Sequence, residues 1–216
     1  MQLTNMTKSL ALLLTSTIVT GSVLPRAAAP IDDVRIGAVR IITAGIDGYE
    51  LVTASFSGTY NGHAYTLSGD IDVISAQLET LYGPSTADGN VTRSDSVLSR
   101  DTDAKSSLQC IPIGDQGWQY AKTAAIATSA ATLKRQGGST HVNGHSCARL
   151  SCQSTSAIYL CNDNNGGIDP QLGYIASYAQ DIISRCSVYP PFSVVLAAGQ
   201  EFDTDHYNVI VREDAC

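Results

Sequence analysis

Lysine and arginine are scarce in this 216-residue chain: 13 basic side chains stand against 20 acidic ones, a formal charge of −7. A surface that binds nucleic acid concentrates cations to displace phosphate counterions. No local patch reverses the sign here, so general nucleic-acid binding is excluded. Cysteine is missing from the first 109 residues, and Cys110, Cys147, Cys152, Cys161, Cys186 and Cys216 all fall in the remainder. The chain is therefore chemically divided in two. Beyond the N-terminus no apolar run is long enough to cross a bilayer. The Gly-x-Ser-x-Gly turn of a nucleophile elbow is absent, tryptophan occurs once, at Trp118, and there is no internal repeat. What is present is a hydrophobic fraction of 44%, enough to pack a core in one domain or two small ones.

Lys8 precedes an apolar run from Leu10 to Val19, short for a membrane span but suited to the core of a secretory signal. Residues 1–22 read as a signal peptide, with small residues placing the cut between 21 and 29. The mature chain is expected to be secreted, extracellular and without a membrane span. An oxidising compartment then favours three disulfides among the six cysteines, with 15 pairings open. Cys147 and Cys152 enclose four residues and no second close pair follows, which lacks the paired pattern of a zinc site. No metal and no cofactor are expected.

Alternation over residues 31–82 suits a small β-rich unit or pro-region. Strands at 34–42 and 49–60 flank Asp47-Gly48, Asn61-Gly62 offers a second hairpin turn, and a further strand at 65–71 leads to a helix at 73–82. From 83 to 109 the periodicity stops. There, 17 of 27 residues are Ser, Thr, Asp, Asn, Gly or Pro, too little apolar surface to offset ordering, and a flexible linker is expected. It holds the glycosylation sequon at Asn90 and a monobasic processing point at Arg100.

The cysteine-rich part, 110–216, reads as mixed helix and strand. Trp118, Ala121, Ala125, Ile126, Ala130 and Leu133 predict a helix over 116–135 ended by Gly137-Gly138. A strand is expected at 157–161. Asp169-Pro170 supplies a cap and first turn for a helix to about 186, whose Leu172, Ile175, Ala176, Ala179, Ile182 and Ile183 share one face. Strands at 192–197 and 207–212 follow. This order predicts an α+β fold with helices packed on an antiparallel sheet.

The ordered segments Ser151-Cys152, Ala157 to Asn164, the helix ending at Cys186, Gly199 to Asp203 and Tyr207 to Val211 before Cys216 resemble fungal small secreted cysteine-rich proteins, the KP-four-type killer toxins and related necrosis-inducing effectors. The resemblance covers residues 110–216. It implies a disulfide-stabilised α/β sandwich, a toxin or effector role without a catalytic centre, and, for the killer toxins, interference with calcium channels of susceptible cells.

Candidate chemistry is sparse. His141 and His145 have helical metal spacing, but Val142-Asn143-Gly144 breaks a helix and no Glu follows the first His, so a polar loop pinned at Cys147 is expected. Ser146, His206 and Asp203 make a triad on paper without the shaped turn it needs. On a strand, Glu201, Asp203 and Asp205 would share a face and serve as acid and base or bind calcium, but Gly199 precedes the cluster instead of interrupting it, and solvated turn charge is the plain reading. Asn162, Asp163 and Asn164 open an Asn- and Gly-rich turn that can display recognition side chains together with Asp203 and Asp205. Lys134 and Arg135 form a dibasic processing site or, more simply, complement a helix C-terminus. Trp118 is expected in the core. The expected role is that of a secreted monomer binding a protein, channel or neutral glycan on another cell. The alternatives are a secreted hydrolase and a glycan- or cell-wall-binding module.

Overall fold

The computed structural model describes residues 45–85 and 104–216, apart from 47, 115 and 192. The signal peptide with its cleavage region, the expected strand at 34–42, Asn90 and Arg100 lie outside the described residues. In chain order the elements open with β1 (Glu50–Thr53), β2 (Ser55–Tyr60), β3 (His63–Ser68) and α1 (Ile71–Tyr82). Then come β4 (Lys105–Cys110), β5 (Ala121–Lys122), α2 (Thr123–Gln136), β6 (Ser139–His141), β7 (Ser146–Gln153) and β8 (Ser156–Asn162). The chain finishes with α3 (Leu172–Arg185), β9 (Ser187–Val188), β10 (Leu196–Ala197), β11 (Gly199–Asp203) and β12 (Tyr207–Glu213).

Local chemistry accounts for several of these. Asn61 and Gly62 both take positive φ, 47° and 84°, the backbone that a two-residue hairpin turn requires, and β2 and β3 pair around it with Tyr60 opposite His63. Helix α1 buries Ile71, Ile74 and Leu78 at three- and four-residue steps. Helix α3 buries Leu172, Ile175, Ala176, Ala179 and Ile182 in the same way. Each large apolar side chain removed from water there contributes about 1.5–3 kcal/mol. Helix α2 starts at Thr123, later than the periodicity predicts, because Ala121 and Lys122 are held as a strand by β10. It stops at Gly137, whose φ of 62° lets its N–H return to the Leu133 carbonyl.

Among the described residues the fold is α+β, with three helices, one mixed sheet and two antiparallel ones. The main sheet runs β1-β7-β8-β12-β11-β4, with smaller sheets β5-β10-β9 and β3-β2-β6. Strand β1 is parallel to β7, and the other pairs in the main sheet are antiparallel. Residues 50–82, read from the sequence as part of a preceding unit, thus share sheets with the cysteine-rich half: β1 lies along β7 and β2 along β6. Strand β4 lies in the stretch read as linker; its polar sequence suits an edge position.

The main sheet buries both faces. Ala148, Leu150, Ile158, Leu160, Val209 and Val211 join Ile126, Leu133, Ile175 and Ile182 of the helices in one core. Tyr159, Ile210, Ile46 and Trp118 pack in a second cluster with the Cys147 and Cys161 sulfurs. Trp118 is therefore buried, as expected, but outside α2. A bulge between Arg149 and Ser151 of β7 breaks the period-two alternation. Leu150 stays in the helix-side core, Ser151 bonds Ser129 of α2, and Arg149 bonds the C-terminal tail.

The six cysteines form three disulfides. Cys147–Cys161 joins β7 to β8 at directly opposed positions. Cys110–Cys186 ties the end of β4 to the end of α3, and Cys152–Cys216 ties the C-terminus to β7.

Candidate functional site

Strand register brings three turns together at one end of the main sheet. Asn162 is opposite both Ser146 and Tyr207, and Tyr207 is opposite Asp203. Consequently the turns 142–145, 163–167 and 203–206 are neighbours, and Glu50 opposite Ser146 brings Tyr49 to the same end.

Asn162 is the pin of this rim. Fully buried, it shares its amide hydrogens among the carbonyls of Val142 (3.2 Å), Asn143 (3.0 Å) and Gly166 (2.8 Å). Its oxygen accepts from the Asn164 backbone N–H at 2.9 Å. Asn164 in turn donates its side-chain amide to the Asp205 and His206 carbonyls. The backbone bonds His145 N–H to Asn164 O and Asp163 N–H to His206 O complete the weld. Gly144 is required by close approach: a Cβ there would lie 2.3 Å from the Asn165 carbonyl oxygen. With a buried amide satisfied on both ends and the backbones bonded to each other, the three turns behave as one rigid surface.

The sequence-predicted recognition residues separate into two groups. Asp163 and Asp205 face solvent and Asn164 is half-buried; Asp163 accepts a hydrogen bond from the Tyr49 hydroxyl. Asn162 and Asp203 lie inside and build the surface from beneath. His141 bonds Asp169 through Nδ1 (3.0 Å) and Asn143 through Nε2 (3.3 Å), while His145 Nε2 bonds Asn165 Oδ1 (2.8 Å). These are loop contacts. Among the described residues no group of three or more His, Cys, Asp or Glu side chains is placed to hold a metal ion. The Ser146 hydroxyl donates to the Gly144 carbonyl, and the Asp203 carboxylate is engaged elsewhere. Lys134 and Arg135 are exposed in the last turn of α2, where their charge meets the negative helix end. The rim residues the sequence did not single out are Tyr49, Asn143 and Asn165. The Asn-rich turn was visible, but its partners lie in distant segments.

Beneath the rim, β11 turns two carboxylates toward α3. Asp203, 5% exposed, accepts hydrogen bonds from the hydroxyls of Tyr178 and Tyr174 and from the Asp205 N–H (2.7 Å). Burial first, then the bond to Asp203, pushes the Tyr178 hydroxyl far above the ordinary tyrosine range. Glu201, 3% exposed, is less well served. Its Oε1 lies 3.9 Å from the Arg185 guanidinium, and its Oε2 has no hydrogen-bond partner among the described residues. Burial raises its pKa to about 7; the nearby Lys105, itself paired with Asp181, opposes the rise.

Comparison of the chain with protein-family models, with curated proteins and with solved structures found no match.

Proposed function

We propose that this chain is a secreted, extracellular binding protein of the killer-toxin and necrosis-effector type. In this reading residues 110–216, with the strands and helix of residues 50–82 built into their sheets, carry a disulfide-stabilised α/β sandwich, and the protein acts as a monomer on a target at the surface of another organism's cell. The observation that carries it is the welded rim. Three turns from distant parts of the chain are held by one buried amide while Asp163 and Asp205 remain in water. Rigid display of polar groups lowers the ordering cost of association. The acidic rim favours a cationic protein or channel loop, or a neutral glycan, over nucleic acid.

A secreted hydrolase is the second reading, favoured by one observation: Glu201, with its raised pKa, and Asp203 share the inner face of β11, an arrangement that resembles an acid and base pair. Both groups are shut beneath α3, so substrate would have to displace that helix. Purified oxidised protein applied to plant leaves and competing microbes tests the binding reading. Necrosis or growth arrest is expected in one of them, undiminished by Glu201→Gln. Absence of any response, together with polymer turnover that Glu201→Gln abolishes, would replace it with the hydrolase.

A further inference from the structure

Between Arg185 and Glu201 the chain carries no charged side chain over the fourteen residues 187–200. Strands β9 and β10 pair antiparallel there, so residues 189–195 form the tip of a hairpin. Its base is tied to the end of β4 by Cys110–Cys186. At the tip Tyr189 is 77% and Val194 56% exposed, and Pro191 and Ser193 also face solvent. A cleft of about 600 Å³, lined by Thr123, Ala124, Thr128, Ser154, Ser193 and Val194 among others, separates the second leg of the hairpin from the start of α2. The tip therefore stands off the body.

Directly paired strand residues share a face of their sheet. Lys122, Leu196 and Val188 form one such row across β5, β10 and β9, and Ala121 and Ala197, on the opposite face, are buried. The outward face thus continues the apolar tip through half-buried Val188 and Leu196 to the exposed Lys122. Arg185, its side chain 63% exposed, precedes the hairpin, and Glu201, which follows it, is buried. An uncharged apolar projection with cations at its base complements a phospholipid surface, whose phosphates lie outside its acyl chains. The backbone of the tip fits the same surroundings, because each amide left unpaired on entering lipid costs free energy. Pro190 and Pro191 have no N–H. The Ser193 N–H bonds the Pro190 carbonyl at 3.3 Å, and the Val195 carbonyl accepts from the N–H and the hydroxyl of Thr123 at 3.1 and 3.0 Å. Tyrosine, an apolar ring with a polar end, suits the headgroup boundary.

We propose that the 187–197 hairpin docks the protein on a phospholipid membrane, with Tyr189 and Val194 in the interface and Lys122 and Arg185 beside the headgroup phosphates. A formal charge of −7 sets the chain against an anionic surface, so the bilayer it fits is zwitterionic. Strand β11 begins beside the hairpin at Gly199 and ends in the rim at Asp203. The membrane site is separate from the rim and does not depend on it.

The test mixes the full oxidised chain with phosphatidylcholine vesicles and measures the fraction that sediments with them as lipid is raised to millimolar concentration. Lipid-dependent co-sedimentation is expected. Tyr189→Ser and Val194→Asp, both at exposed positions and so without effect on the melting temperature, should each weaken it about tenfold or more. Leu81→Asp, at a site 60% exposed on α1, should leave it unchanged. No co-sedimentation, equal binding by both hairpin variants, or an equal loss from Leu81→Asp would overturn the proposal. So would hairpin variants that bind cells less well while the vesicles capture nothing, a result that assigns the hairpin to a protein partner.

Discussion

Glu201→Gln is expected to melt close to the wild-type temperature at pH 4.5 and about 5–10 °C above it at pH 8. The wild-type carboxyl, 3% exposed with one oxygen unpartnered among the described residues, has a pKa raised to about 7 chiefly by burial. In the unfolded chain it has the ordinary value of 4.5. Between those values the folded protein keeps a proton that the unfolded chain has released. Stability from this group is complete below the lower value and is lost as pH rises through the upper one, by up to about 3 kcal/mol. Glutamine fills the same space without ionising, so the difference between the two proteins opens only as pH rises. Thermal melts across that range check it. A constant difference would mean that Glu201 ionises in the fold as readily as in water.

The second large effect belongs to the C-terminal tail. The Cys152→Ala, Cys216→Ala double variant is expected to lose about 4 kcal/mol, from the 64-residue separation that the bridge closes. Its tail should also come loose. Asp214 is held under the sheet by Arg149 and the Tyr159 hydroxyl, and the Ala215 carbonyl accepts from the same guanidinium. Burial and the Asp214 carboxylate raise the Tyr159 pKa to about 12. In the variant these contacts lose the covalent link that brings them together. Carboxypeptidase should trim the variant and spare the wild type, and denaturant melts should show the lost stability. An untrimmed variant with an unchanged midpoint would show that hydrogen bonds alone seat the tail.

The elements legible in the sequence are those whose information is local. The apolar steps of α3 and α1 and the Asn61-Gly62 turn are written within a dozen residues. Strand β7 is hidden because its bulge disrupts alternation and its buried Ser151 is satisfied by Ser129 of α2 and Asp72 of α1. Strand β11 is hidden because Glu201 and Asp203 occupy buried positions that a pattern reader assigns to apolar residues. The parallel pairing of β1 with β7 joins segments almost a hundred positions apart, and no local signal encodes such a contact. At the rim, the Asn-rich turn was visible as a turn. That Asn162 faces inward follows only from its place at the end of β8, opposite Tyr207.

The most direct measurement is the binding of fluorescently labelled, oxidised protein to intact plant and microbial cells, alongside a variant carrying Asp163→Ala, Asn165→Ala and Asp205→Ala. Saturable binding to one cell type is predicted, lost on reduction of the disulfides and weakened about tenfold or more by the three rim substitutions, with the melting temperature nearly unchanged. Binding that survives both reduction and the rim substitutions would contradict recognition by a rigid rim.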